Sequence, residues 1–366
     1  AWLPSGDALI TERPGRLRLL RGGALDPAPI SGLPDICGDC GQGGLLDVAL
    51  HPDFAQNRLV YLTFAEGDGE RNRTALARGR LDGDGKRLLD TEIIFRNADW
   101  KSGGQHFGSR LVWLPDGTLL MSIGDGGNPP VSFGGDVIRK QAQNTGTHFG
   151  SVLRLTDDGR APADNPFVGK PGAKPEIYSY GHRNIQGATL HPSTGQLWTH
   201  EHGPQGGDEI NLPVPGVNYG WPVVTYGVNY GIGTAIGEGT EKAGMAQPLH
   251  HWTPSIAPSG LAFYEGDRFP GWQGDLFVGS LKFELLLRLE LEDGRVVGEE
   301  RLLEEALGRI RDVRQGPDGL LYLLIDASGD GQLVRLVPLD SPASVDVVTE
   351  GGGFRSASGA GLGRKW

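Results

Sequence analysis

Leu111-Val112-Trp113-Leu114-Pro115-Asp116-Gly117-Thr118-Leu119-Leu120 spells out a β-hairpin: an apolar run, a turn holding Pro, Asp and Gly, and a second apolar run. Pro presets φ and Gly accepts positive φ, so the middle of the stretch reverses the chain between two short strands. The phrase recurs. Copies run from Trp2 to Ile10, from Val48 to Leu62, from Thr189 to Trp198, more loosely from Leu261 to Val278, and from Val313 to Tyr322. Their spacing, about 50 to 75 residues, leaves room for one four-stranded blade and a loop. Six copies predict an all-β chain, a six-bladed β-propeller of four-stranded antiparallel blades. A β-sandwich with irregular loops is the alternative.

The expected organisation is a single propeller over 1–366, with about 340–366 forming an irregular C-terminal closure or tail. Pairing one terminus against the other would leave no open edge. The longest insertions, expected at about 64–110, 124–188 and 199–260, should build the site. Only Glu299 to Leu307 carries a helical period.

With 60 Gly and 25 Pro but no short period, the chain is turn-rich and not collagenous, and its interleaved apolar segments exclude disorder. A formal net charge of −11 argues against nucleic acid and against anionic membrane surfaces. No apolar run approaches bilayer length. The opening Ala1-Trp2-Leu3-Pro4 has neither Met nor signal peptide and reads as a processed form. Cys37 and Cys40 stand in a lone CGDC, too few ligands for structural zinc and without a thioredoxin-like context. A local disulfide in an exported protein is the favoured reading, and two free thiols the alternative.

Three groups of residues could carry chemistry. His106 lies in Gly103-Gly104-Gln105-His106-Phe107-Gly108, where an imidazole on a turn can act as a base near neutral pH or simply cap the surface. Asp125, at the far end of the same hairpin, can orient that ring and fix its tautomer. Arg183, Lys282, Arg309 and Arg311 form a scattered cation set; Arg309 and Arg311, two apart on a strand, share a face and could clamp a carboxylate or pair with Asp312. The loop Gly203-Pro204-Gln205-Gly206-Gly207-Asp208-Glu209 offers backbone carbonyls and carboxylates to calcium, without EF-hand spacing. HExxH, G-x-S-x-G and P-loop patterns are absent.

In this order, GGQHFGSRL (103–111), GHRNIQG (181–187), EHGPQGGDEIN (201–211), NYGWP (218–222), SLKFELL (280–286) and GRIRDV (308–313) resemble the soluble PQQ-dependent aldose sugar dehydrogenases. Soluble quinoprotein glucose dehydrogenase is a relative of that family. The resemblance runs from the first strand to about Pro338. It implies a six-bladed propeller that binds PQQ over Ca2+ and oxidises aldoses at C1 to the lactone. By motif, His106 would take the proton of the anomeric hydroxyl, Asp125 would support it, and Arg183 and Asn184 would face the quinone. The carbonyls of Gly203 and Pro204 would bind the catalytic calcium. Lys282, Arg309 and Arg311 would hold the PQQ carboxylates, with Ser280, Tyr230 and Gln42 lining the site. Glu209 and the Tyr219 carbonyl match a second, structural calcium position.

Gln105 stands where the glucose dehydrogenase relative has an aspartate, which fits a broader aldose range. The implied partners are an aldose and a soluble electron acceptor, with no membrane span, in a monomer or homodimer, periplasmic or otherwise exported. A calcium-dependent lactonase on the same fold would not need the Lys282, Arg309 and Arg311 set. A non-catalytic glycan- or protein-binding propeller would not need His106 or Arg183.

Overall fold

The computed structural model describes residues 1–327 and 331–338, and the backbone of two further strands at 345–349 and 352–357. Six antiparallel sheets follow one another along the chain as the blades of a propeller. The first holds β1 (Ala8–Glu12), β2 (Arg16–Arg21) and β3 (Ala24–Leu25). Trp2 bridges Ala8, and Leu3 N–H donates to the Asp7 carbonyl at 2.7 Å, so residues 1–3 take the innermost strand position. The second blade is β4 (Leu45–Leu50), β5 (Leu59–Gly67), β6 (Asn72–Leu81) and β7 (Leu88–Arg96). The third is β8 (Leu111–Trp113) and β9 (Leu119–Ile123), then the small hairpin β10 (Ser132–Phe133) and β11 (Asp136–Val137), then β12 (Ser151–Leu155) and β13 (Ile177–Tyr180).

The fourth blade runs β14 (Ile185–Leu190), β15 (Leu197–Glu201), β16 (Asp208–Asn211) and β17 (His250–Trp252). The fifth is β18 (Pro258–Phe263), β19 (Leu276–Ser280), β20 (Leu285–Glu292) and β21 (Arg295–Leu302). The sixth is β22 (Ile310–Gln315), β23 (Leu321–Ile325), β24 (Gln332–Arg335), β25 (Val345–Thr349) and β26 (Gly352–Ala357). Each repeated hairpin phrase of the sequence is the inner hairpin of one blade. In the 111–120 copy, Leu114 N–H donates to the Thr118 carbonyl at 2.8 Å, and Gly117 takes φ +80°.

Strand periodicity explains the near-continuous apolar runs. Side chains alternate between the two faces of a strand, and in a propeller both faces are covered by neighbouring blades. Leu119, Met121 and Ile123 of β9 pack with Tyr61, Leu76 and Phe95 of the second blade. Leu120 between them turns the other way, onto Ile185 and Leu197 of the fourth. Trp198, Ile210 and Trp252 meet Leu261, Leu276 and Val278 between the fourth and fifth blades. Closure is apolar too: Leu320, Tyr322 and Leu333 pack on Ala8 and Leu20, and Trp2 meets Tyr322 edge-on at 4.6 Å. Near the centre Arg110 pairs with Asp312 at 3.2 Å, while Arg314 bridges Asp312 at 3.1 Å and Asp47 at 3.4 Å. That cluster joins β4, β22 and the residue before β8.

Several expectations change. Among the described residues no strand pairs one terminus with the other: residues 1–3 line the inside of the first blade, and β25 and β26 extend the sixth sheet to five strands. Those strands fall in the expected tail, the rest of which beyond Pro338 lies outside the described residues. Most of 64–110 is the ladder β5–β6–β7, because alternating apolar residues outweigh its polar content; only 97–110 is loop. Glu299 to Leu307 is the end of β21 and a turn, since Glu299, Glu300, Arg301 and Leu302 continue the ladder with β20. The expected local disulfide is present, joining Cys37 to Cys40. Among the described residues no helix is long and apolar enough to cross a membrane.

Candidate active site

The loop entering β8 and the loop leaving β9 bring His106 to Asp125. His106 is 5% exposed and holds φ +52°, a left-handed conformation that non-glycine residues rarely adopt. Three contacts fix it there. Its backbone N–H donates to Gln42 Oε1 at 3.0 Å, the neighbouring Gly108 N–H donates to Asn184 Oδ1 at 3.1 Å, and its ring meets Asp125. Gly124 is obligatory, because a Cβ there would lie 2.2 Å from the His106 carbonyl oxygen.

The tautomer follows from donors and acceptors. Asp125 Oδ1 lies 2.6 Å from His106 Nδ1 and also accepts the Gly127 N–H at 3.0 Å; Oδ2 accepts the Trp221 Nε1–H at 2.7 Å. Gly127 N–H and the indole only donate, so the carboxylate is an acceptor throughout and Nδ1 carries the proton. Nε2 is left with a lone pair and no protein partner among the described residues. Burial opposes the charge on Asp125, but His106, Arg183 and the indole outweigh it and hold the carboxyl below its usual range. Burial pushes the His106 imidazole down, and Asp125 counters that while Arg183 adds to it. The result is an unprotonated, oriented base.

Arg183 is 3% exposed. Its Nη1 donates to the carbonyls of His202 at 2.9 Å and Gly203 at 2.6 Å, and its Nη2 to Asn128 Oδ1 at 2.9 Å. Its Nε is buried without an acceptor. Arg183 N–H donates to Glu201, and the guanidinium lies 5.3 Å from the Trp221 ring. Asp208 staples the next loop: Oδ1 accepts Gly203 N–H at 2.7 Å and Oδ2 accepts Ala257 N–H at 2.8 Å. The Pro204 carbonyl accepts the Ser255 hydroxyl at 3.2 Å.

Arg183, Gly203, Glu201, Glu209 and Tyr219 line one small cavity. Burial and the nearby Glu201 push Glu209 up to about 8.

Other expected residues stand apart. The Gln105 side-chain Oε1 accepts the Asn128 backbone N–H at 3.1 Å. Arg309 and Arg311 do share a side, and both reach Asp326, at 3.4 and 2.7 Å; Asp312 points instead to Arg110 and Arg314. The Lys282 ammonium lies 5.1 Å from the centre of the Phe283 ring, and Tyr230 is 57% exposed on the 228–235 loop. Ser280 is not open to a ligand: fully buried, it donates to the Ile256 carbonyl at 2.7 Å and accepts Phe283 N–H at 3.1 Å. Trp221, Glu201, Asn128 and Lys101 were missed as site residues. Trp221 and Glu201 sit inside the NYGWP and EHGPQGGDEIN motifs, where the indole donor and the first glutamate were the available signals.

A propeller with an oriented base beside a buried cation, read with its relatives, is an oxidoreductase acting on sugar CH–OH groups. The chain belongs to the glucose/sorbosone dehydrogenase family, whose model matches residues 1–335. It is 44% identical over 341 residues to the aldose sugar dehydrogenase YliI of Escherichia coli K12, covering 92% of this chain and 89% of that protein. A crystal structure of a glucose dehydrogenase superposes with a TM-score of 0.86 at 48% identity, covering 92% of this chain and 95% of that one. The PQQ-bound aldose sugar dehydrogenase of Streptomyces coelicolor gives a TM-score of 0.72 at 28% identity, covering 92% of each chain.

Proposed function

We propose that this chain oxidises aldoses at C1 to the lactone, using PQQ and calcium, with His106 as the general base. The observation that carries the reading is the His106–Asp125 pair, its Nε2 unpartnered, beside a buried arginine whose Nε has no acceptor. An oxygen of an anionic cofactor would satisfy that orphan donor, a buried N–H being worth about 1–3 kcal/mol when paired. When bound, PQQ would accept the C1 hydride as calcium polarises its quinone.

The chain's residues supply the rest. His106 Nε2 takes the anomeric hydroxyl proton, and Asp125 stabilises the imidazolium that forms. Arg183 and Asn184 face the cofactor, Arg183 favouring negative charge there. Lys282, Arg309 and Arg311 are half-exposed cations in an acidic chain and would hold the cofactor carboxylates, at the cost of the Asp326 pairing. Gln42 and Gln105 use their carbonyl oxygens internally and keep their NH2 groups for sugar hydroxyls. Tyr230 would border the site from the 228–235 loop.

The carbonyls of Gly203 and Pro204 each keep a second lone pair, an oxygen donor set suited to calcium. Glu209 and the Tyr219 carbonyl would take a second, structural ion. With Arg183 2.6 Å from the Gly203 carbonyl, a bare divalent ion there would meet a guanidinium. Calcium and the anionic cofactor must therefore enter together. Adding PQQ and calcium to the apoprotein and following aldose-dependent dye reduction tests the reading. Absence of both a quinone absorbance change and dye reduction would sink it. His106→Ala should retain PQQ binding and lose turnover.

A further inference from the structure

We propose that Lys101 is a positioning residue for the base: its ammonium ties down the arch that carries His106 and sets a positive charge beside the His106–Asp125 pair. Lys101 is 4% exposed, unusual for a lysine without a carboxylate partner. Its backbone is fixed by two hydrogen bonds with Asn72 at the start of β6, at 2.9 and 3.0 Å. From there the side chain runs inward beneath the arch. Nζ donates to the Gly103 carbonyl at 2.7 Å and lies 4.2 Å from the centre of the Phe107 ring. The stem passes Gly126, where a Cβ would come within 3.4 Å of the lysine Cδ and 2.4 Å of Ile138. The ammonium is thus bonded to the residue three before His106 and stacked on the residue after it, and it borders the turn that presents Asp125.

The charged and titratable groups that act on His106 are Asp125, Arg183 and Lys101, with His202 also nearby. Asp125 favours the imidazolium, and Arg183 and Lys101 disfavour it. His202 is held neutral by burial, its Nε2–H donating to the Pro258 carbonyl at 2.8 Å. Burial pushes Lys101 down to about 7, with Asp125 opposing. Its charge is therefore present on the acid side of neutrality, where the imidazole would otherwise take up a proton. The consequence is a base that stays available at lower pH than the Asp125 pairing alone would allow.

The role rests on His106 as the base, so the test reads His106 without turnover. Lys101→Met removes charge and donor, and Lys101→Gln removes the charge but keeps a donor for Gly103. In apoprotein labelled at histidine, both variants should raise the His106 NMR titration midpoint by about half a unit or more. In reconstituted enzyme the acid limb of the kcat/KM profile should move to higher pH by the same half unit, a loss of up to about threefold at pH values below the midpoint and none at pH 8. An unchanged midpoint in both folded variants overturns the proposal. So does failure of both to fold, which would make the lysine purely structural. A shifted midpoint in protein that shows no turnover at any pH would instead count against the proposed function.

Discussion

Asp125→Asn is the sharpest test of the site, because the change is nearly isosteric and only the donor pattern differs. The carboxylate accepts from three groups: His106 Nδ1 at 2.6 Å, Gly127 N–H at 3.0 Å and Trp221 Nε1–H at 2.7 Å. An asparagine has one oxygen and one NH2. Turning the NH2 toward Trp221 sets two donors head to head at a buried position. Turning it toward His106 opposes Gly127 N–H, and satisfies the ring only if Nδ1 becomes the acceptor and the proton moves to Nε2.

The second arrangement removes the base while leaving the ring in place. General-base catalysis contributes about 10²–10⁴, and the same substitution behind the histidine of a Ser-His-Asp triad costs about 10⁴. We expect kcat/KM to fall by about 10³, or about 4 kcal/mol of transition-state stabilisation. Raising the pH will not rescue the variant, since the defect is tautomeric. Losing the charge-assisted bonds should also cost about 1.5–3 kcal/mol of stability. The assay is aldose-dependent dye reduction with saturating PQQ and calcium, alongside 15N chemical shifts of the His106 ring. Activity within tenfold of wild type, or a ring still protonated at Nδ1, would refute the reasoning.

Gly108→Ala should cost on the order of 1–3 kcal/mol in denaturant titration and at least tenfold in kcat/KM; at φ +67° its Cβ would press to 2.8 Å from Gly124 N and displace the residues after His106. Asp312→Asn should lose about 3–5 kcal/mol at pH 7 by leaving Arg110 and Arg314 short of a buried counter-charge. Burial opposes the Asp312 carboxylate, but Arg110 and Arg314 hold its pKa far down, so its stability is present above the ordinary carboxylate pKa and lost as pH falls toward the folded value. Wild type and variant should therefore converge in urea titrations below about pH 4, and a constant gap would contradict this. In a Glu209→Gln background, chosen to silence the proposed second ion site, calorimetry should detect tight calcium binding only with PQQ present; tight binding of calcium alone would remove the Gly203 and Pro204 assignment.

The blades were readable because hairpin chemistry is local: Pro115, Asp116 and Gly117 mark a turn whatever surrounds them. Their closure was not, since nothing between Ala1 and Leu3 shows that an isolated bridge to Ala8 will supply a strand. The shared face of Arg309 and Arg311 followed from strand alternation. Their partner did not, because the register of β22 with β23 pairs Ile310 with Ile325 and so brings Asp326 alongside them. Asp312, one residue on, falls on the opposite face with Arg110. Lys101 shows the same limit more strongly. A lysine between a tryptophan and a serine reads as surface, and its burial depends on Asn72, Phe107 and Gly126, which come together only in the fold.

The site divides by how completely its groups are satisfied. On the third-blade side, His106 Nδ1 and backbone N–H, the Asp125 oxygens and Asn184 Oδ1 all have partners, so the imidazole proposed as the base is held in place by the fold. On the fourth-blade side the electrostatics are incomplete. Among the described residues Arg183 Nε has no acceptor, Glu209 is pushed up to about 8 by burial and Glu201, and the Gly203 carbonyl is capped by the guanidinium. A chain of net charge −11 keeps these unbalanced groups within one small cavity, near an imidazole already oriented by Asp125. Ligand binding energy is then directed at completing the cation and anion set, while the proton-accepting geometry is carried by the fold. The two halves should accordingly fail separately: substitutions around Asp125 lower turnover with cofactor affinity retained, and substitutions around Gly203 and Glu209 weaken cofactor or metal binding with the His106 tautomer unchanged.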